Sequence, residues 1–304
     1  MKTRSVLVVI GLATSFIWPT LAQEKKPTPS ENAREAKPAP TAGIQPSVTL
    51  PGNYKLVWNQ DFTSPDYTNI NTSGIVNSTG ISGTGAKWYA SPGVSPGFAS
   101  FVGIGVDKLP FSTDKGYLSI NSYSSGGTMV GGMIRSAWDA GFAAVDAYWE
   151  AKLRLPPSGG SGNWPAFWLK AFPRNLSDTQ VCAEVDIMEF GYQIPGSTNS
   201  VYEIHTHLWG LGNNGKSAGD GSVSNLAVTP GGWHTFGCLI QQASLPNSQV
   251  IFYLDGAEVD RFNATAPFHV PESVILDMAS GPGFPAIGDP EELDCQYIRC
   301  WAPD

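Results

Sequence analysis

Three acids in six residues, threaded through an otherwise apolar run, constrain this chain more than any other feature. In Val181-Cys-Ala-Glu184-Val-Asp186-Ile-Met-Glu189-Phe190 the acids alternate with Ala, Val, Ile, Met and Phe. Unpaired charges are seldom buried, so acids set this way must face water, a partner or a ligand. A helix, at about 100° per residue, would scatter them. The β-branched and aromatic neighbours favour a strand, whose side chains alternate between faces, so Glu184 and Asp186 share one face. Glu189 has the wrong parity. One extra residue at Ile187-Met188, a β-bulge, restores it and lines up three carboxyls along one side of a sheet.

Such a row suits glycoside hydrolysis, which needs two carboxyls with opposed roles. In the retaining mechanism one attacks the sugar and the other protonates the leaving oxygen, about 5–5.5 Å away. Like charges that close cannot all ionise, so one acid takes a raised pKa and becomes the proton donor. The same spacing also occurs in solvated edges and in divalent-metal sites built from carboxylate oxygens. The apolar interleaving and the Trp-rich segment just upstream favour the catalytic reading.

That segment is Asn163-Trp164-Pro-Ala-Phe-Trp168-Leu. Trp164 and Trp168 have the same strand parity, so one face is rich in indole, and aromatic faces stack on the apolar faces of sugar rings. Trp88, in a Gly/Ser/Asn-rich stretch over 64–97, is a further candidate for the border of a cleft. Downstream, Tyr202-Glu-Ile-His205-Thr-His207-Leu-Trp209 puts two histidines on one face. A metal site there lacks a third ligand. A histidine that tunes a neighbouring acid or holds a sugar hydroxyl is the expectation, with His207 first and His205 second.

Composition points to the same class. The 304 residues include 34 Gly, 24 Pro and 10 Trp, with 14% charged. Many turn formers and few charges suit one all-β domain. A net charge of −8 argues against nucleic acid and anionic membranes as partners. It also disfavours a highly sulfated polysaccharide, unless Arg or Lys in the cleft overrides it. The basic start Met1–Arg4, the apolar run Ser5–Trp18 and the small-residue end at Ala22 read as a cleaved signal peptide over 1–22. A secreted or periplasmic protein is therefore expected, with no membrane association beyond export. Residues 23–47, rich in Lys, Glu, Pro and Ala, read as a disordered linker, and 48–304 as the domain, expected to be a monomer. Four cysteines, Cys182, Cys238, Cys295 and Cys300, leave three pairings open. Cys295 and Cys300 have opposite parity on one expected strand, which disfavours a bond between those two.

Glu184-Val-Asp-Ile-Met-Glu189 resembles the active-site signature of the family 16 glycoside hydrolases, in its bulged, laminarinase-like form. Trp-Pro-Ala-Phe-Trp168 just before it matches as well. Weaker likenesses at Tyr148–Pro156, Trp233–Gly237, Val250–Gly256 and Leu293–Trp301 extend the resemblance over about Tyr54 to Trp301. It implies a β-jelly-roll sandwich of two curved antiparallel sheets with a concave substrate cleft. It implies that Glu184 is the nucleophile, Asp186 the assisting acid and Glu189 the acid/base, while Glu150 reads as structural. Trp164, Trp168, His207 and Trp88 are then the expected substrate-binding residues. The implied activity is endo-acting, retaining hydrolysis of a β-linked polysaccharide, β-1,3-glucan by default, with galactans and bacterial exopolysaccharides sharing the signature. A transglycosylase and a non-catalytic carbohydrate-binding jelly roll are the alternatives. Many members hold a calcium on the convex face. Here Gln60 and Gln296 stand where acids are expected and Asp61 remains, so no cofactor and no metal are expected.

Overall fold

The computed structural model describes residues 43–62, 70–71, 76–77, 80–81, 88–90, 93–94, 100–101, 110–112, 115–125, 128–136, 142–157, 163–171, 182–190, 200–209, 221–241, 248–264, 266–280 and 291–304. The expected signal peptide and residues 23–42 of the expected linker lie outside these. Strands of six residues or more are numbered in chain order. They are β1 (Tyr54–Asp61), β2 (Tyr148–Arg154), β3 (Asn163–Ala171), β4 (Cys182–Phe190), β5 (Val201–Trp209), β6 (Gly221–Ala227), β7 (Trp233–Gln241), β8 (Gln249–Leu254), β9 (Ala257–Asn263), β10 (Glu272–Ser280) and β11 (Glu292–Pro303).

Period-two alternation builds two sheets of eight strands each. The first runs β6-β5-β4-β3-β10 and continues through Met133–Arg135, Trp88–Ala90 and Ile70–Asn71. The second runs β9-β8-β7-β2-β11 and continues through Leu118–Asn121 and Phe111–Ser112, with β1 paired to the C-terminal part of β11. All pairs between numbered strands are antiparallel. Facing sides meet in a core of Trp58, Phe62, Trp88, Trp149, Phe167, Phe190, Tyr202, Phe236 and Phe252, among others. Each such side chain contributes about 1.5–3 kcal/mol when it leaves water. This is the expected jelly-roll sandwich.

Two bulges decide what faces where. On β4 the register slips between Asp186 and Glu189 against β5, and between Phe167 and Trp168 against β3. Ile187 and Met188 therefore both pack into the core, and Glu189 returns to the opposite face. On β11, Lys152 pairs with Tyr297 but Leu153 pairs with Cys295, so Gln296 is the extra residue. Cys295 and Cys300 consequently face the same core, which corrects the opposite parity expected from strict alternation. They still do not bond. A strand rises about 3.3 Å per residue, so the five steps from Cys295 to Cys300 carry them well beyond the about 4.4–6.8 Å between Cα atoms that a disulfide requires. All four cysteines are free thiols.

A smaller apolar cluster covers the outer side of the second sheet. Leu56, Tyr148, Leu239, Ile251 and Trp301 pack there under Ile44, Val48 and Leu50. Glu150 anchors the covering segment by accepting from the Ser47 backbone N–H at 2.8 Å and the Tyr148 and Tyr297 hydroxyls at 3.0 and 3.1 Å. Residues 43–47, read above as the end of a disordered linker, thus lie on the domain, because Ile44 has an apolar face to cover and Ser47 a buried carboxylate to satisfy. Asp255-Gly256 joins β8 to β9 with positive φ at both residues (50° and 82°), the backbone of a type I′ hairpin turn. At the position of the family's calcium, Gln60 is buried with its amide N–H on the Asp61 carbonyl at 3.4 Å, and the Gln296 carbonyl accepts from Phe62 N–H. One carboxylate among Gln60, Asp61 and Gln296 is too few for an ion that takes about 6–8 oxygen ligands. The residues present do not fit calcium.

Glu272 is the odd group in the interior. It is fully buried, shares the parity of the core residues Val274, Leu276 and Met278, and neither carboxylate oxygen has a hydrogen-bond partner. Burial, then the nearby Glu184 and Asp146, push its pKa well above the carboxylate range. An unfolded glutamate titrates at about 4.3, so folding favours the protonated acid and stability falls as pH rises from there through the folded pKa. Glu272→Met removes that loss. Its gain in Tm over wild type should grow between pH 4 and pH 8 in thermal melts, and a gain equal at both would show that Glu272 does not titrate across that range.

Candidate active site

The cleft is the solvent side of the first sheet. Parity places Trp164, Ala166, Trp168 and Lys170 of β3 there, beside Glu184, Asp186 and Glu189 of β4. β5 adds Glu203, His205, His207 and Trp209, and β10 adds Asp277. All of these except Glu203 line an open cavity of about 540 Å³. Register sets the neighbours: Glu184 lies between Lys170 and His207, Asp186 between Trp168 and His205, and Glu189 between Ala166 and Glu203.

Each acid has a distinct environment. Glu184 is ion-paired with the Lys170 ammonium. Asp186 meets His207 Nε2 at 3.2 Å. Glu189 accepts the Trp164 indole N–H at 2.9 Å, and His205 Nε2 sits 3.3 Å from Glu189 and 3.1 Å from Glu203. Asp277 accepts the Trp168 indole N–H at 2.7 Å, which fixes the plane of that ring in the cleft wall. Along β5 the rings form a row, with His205 stacked on His207 at 5.5 Å and 8°, and His207 tilted by 32° against Trp209 at 5.1 Å.

Burial then sorts the protons. Desolvation, followed by the neighbouring Asp186, pushes Glu189 up to about 8, against the opposing pull of His205, the Trp164 N–H and His207. Desolvation and then Glu184 push Asp186 well above the carboxylate range, with Lys170 opposing. Asp277 rises to about 7, mainly by burial, against the hydrogen bond from Trp168. Near pH 7 the site therefore holds a proton on Glu189, while Glu184 has a cation beside it. One carboxyl ready to donate and another held next to a positive charge form an acid/nucleophile pair in chemical terms.

Five expected residues besides Glu184 come together here: Asp186, Glu189, Trp164, Trp168 and His207. Two expectations change. Trp88 lies fully buried, with its ring 5.1 Å from Trp58 and 5.9 Å from Phe62, because its parity in the short strand Trp88–Ala90 points it into the sandwich. It does not border the cleft. His205, not His207, is the histidine in contact with Glu189, because the bulge places His205 one pair from the acid while His207 pairs with Glu184. Lys170, Glu203, Trp209 and Asp277 stand here as well, beyond the residues expected from sequence. Lys170 shares the parity of Trp164 and Trp168, and Glu203 and Trp209 share that of the histidines, so alternation alone marks those three. Asp277 enters from a strand far away in sequence, marked there only as a lone acid in the apolar run Val274-Ile-Leu-Asp277-Met. Among the described residues, Glu184, Asp186 and His207 could offer three metal-ligand atoms within 4.8 Å of one another, but the Lys170 ammonium already neutralises Glu184.

Comparison with known proteins bears on the family and the fold. A family model for the Glycosyl hydrolases family 16 matches residues 104–287. The chain is 24% identical over 231 residues to the endo-1,3-1,4-beta-glycanase ExsH of Rhizobium meliloti, covering 72% of this chain and 43% of that protein. It thus spans less than half the length of this relative. It is 25% identical to a keratan-sulfate endo-1,4-beta-galactosidase of Sphingobacterium multivorum over 99% of this chain and 68% of that one. Among solved structures, a family 16 endo-glucanase from Bacteroides ovatus superposes with a TM-score of 0.58 at 17% identity, over 81% of this chain and all of that one. The laminarinase catalytic domain from Thermotoga petrophila gives 0.58 at 18%, over 83% and 99%. These structural likenesses carry the fold, and the family model, over more than half of the sequence, carries the lineage: this chain belongs to the family 16 glycosyl hydrolases.

Proposed function

We propose that the chain is an endo-acting retaining hydrolase of β-linked polysaccharide, with a 1,3-bonded β-glucan as its first substrate. The observation that carries this is the pairing of a protonated Glu189 with a Lys170-neutralised Glu184 on one face of a bulged strand. Glu184 attacks the anomeric carbon as the glycosidic C–O bond breaks, and the Glu189 proton goes to the leaving oxygen. A glycosyl ester on Glu184 results. Glu189, now a carboxylate, takes a proton from water, whose oxygen attacks the same carbon and frees Glu184. Two inversions at one carbon give net retention. Asp186 and His207 position Glu184 from one side, and His205 with Trp164 stabilises the anionic form of Glu189 that follows the first step. An open cleft walled by Trp164 and Trp168 admits an internal stretch of chain, which favours endo cleavage. A 1,3-linked β-glycan is supported by the likeness to the Rhizobium endo-1,3-1,4-beta-glycanase, and export by the N-terminal pattern.

Reducing-end release from laminarin, mixed-linkage glucan, agarose and carrageenan, with proton NMR of the first anomer formed, tests the reading. The β-anomer should appear first. Glu189→Gln should lower turnover by about 10²–10⁴-fold, and Glu184→Gln should abolish it. Release of the α-anomer, or undiminished turnover by Glu184→Gln, would sink the proposal.

The hydrogen bond from Trp164 supplies a second test. An indole N–H favours the charged form of its acceptor, so Trp164→Phe should raise the Glu189 pKa. The alkaline limb of the kcat/KM profile, set by loss of the Glu189 proton, should move above the wild-type position near pH 8. A higher KM from lost stacking leaves that limb in place, so an unmoved limb would mean that Trp164 does not tune the acid.

A further inference from the structure

The cation in the cleft has a consequence for substrate choice. Lys170 is the one Lys or Arg among the described residues that line the cavity, in a chain of net charge −8. Its ammonium pairs with Glu184 and lies 5.5 Å from the Trp168 ring centroid and 6.0 Å from that of Trp209. Its side chain is 28% exposed, against 12% for Glu184, so the lysine is the more open half of the pair. The other ionisable groups facing it are Asp186 and Cys182 on β4.

Charge bookkeeping through the proposed reaction sets what this cation needs. When Glu184 becomes an ester it loses its charge. The negative charge created in the same step falls on Glu189, which β3 registers against Ala166, four residues from Lys170 and about 13 Å along the strand. Lys170 is then a partly desolvated ammonium whose partner has been neutralised. Asp186, pushed towards its protonated form by burial, is a weak replacement. A neutral sugar leaves the cation uncompensated, whereas an anionic group on the sugar restores the pair. That sugar must be within reach, because it is bonded to the carboxylate that Lys170 was holding.

We infer that Lys170 is a specificity-determining residue that selects β-glycans bearing a carboxylate or a sulfate on the sugar that becomes bonded to Glu184. The inference rests on Glu184 being the nucleophile. Its test uses binding, so it does not depend on turnover. Glu184→Gln carries no charge at that position, as the ester does not, and mimics the state in which Lys170 lacks its partner.

Calorimetry on the full chain would compare matched neutral, C6-carboxylated and 6-O-sulfated oligosaccharides of β-1,3-glucan and of poly-N-acetyllactosamine. Glu184→Gln should bind at least one acidic form about tenfold more tightly than its neutral parent, the size of one hydrogen bond to a charged group. The preference should shrink with added salt, disappear in Glu184→Gln/Lys170→Met and survive in Glu184→Gln/Lys170→Arg. The carboxylated and sulfated arms tell which anion is the better fit. Equal binding of neutral and acidic forms, binding of none, or a preference that Lys170→Met leaves intact would each overturn the inference. Failure of glycan hydrolysis by the wild type is read separately, in the reducing-end assay.

Discussion

The bulge in β4 brings Glu189 onto the face of Glu184 and Asp186, because strand side chains alternate and one inserted residue reverses all that follow. Without the extra residue at Ile187-Met188, Glu189 would turn into the apolar core and Phe190 out of it. With it, two apolar residues fill the core side and the acid regains the cleft. The same slip brings His205 rather than His207 to Glu189. Sheet geometry thereby fixes the first layer of the chemistry, and burial adds the second. The three carboxyls of β4 sit on one face but differ in how much water, and which charge, each one sees. Glu184 has Lys170, Asp186 has the His207 ring, and Glu189 has an indole N–H and a shared histidine. Different surroundings give the same functional group different proton occupancy, and a double displacement requires that difference.

The aromatic residues divide the same way, by parity. On β3, Phe167 and Leu169 insulate the core while Trp164 and Trp168 wall the cleft, each with its N–H given to an acid. An indole fixed by Glu189 or Asp277 offers its face to a sugar at low entropic cost, since no rotamer freedom remains to be lost on binding.

Local patterning made much of this legible. Alternation with one irregularity foretold the β4 row, and Trp164 and Trp168 on one face foretold the wall beside it. Asp255-Gly256 foretold the hairpin. The misreadings have one physical source, namely that parity is defined only once register is known. Trp88 looked like a loop aromatic because its strand spans three residues and is held by Met133–Arg135, which nothing near Trp88 announces. Cys295 and Cys300 looked opposed because the bulge at Gln296 is written in the pairing with β2, not in the composition of β11. Ser47 and Ile44 looked like spacer because their value lies in covering Glu150 and Trp301, more than a hundred residues away. Lys170 was within reach of sequence reasoning, since it continues the Trp164, Trp168 series by two.

The proposed double displacement requires that Glu184 carry the sugar. Incubating the protein with a 2-deoxy-2-fluoro β-glycoside that has an activated leaving group should trap the glycosyl ester, because fluorine slows the second displacement more than leaving-group activation allows the first to slow. Peptide mapping by mass spectrometry would locate it. One added fluoroglycosyl mass on the peptide containing Glu184, assigned to that side chain by fragmentation, is the predicted result. A label on Asp186 or Glu189, or steady turnover of the fluoroglycoside with inversion and no label, would contradict the account.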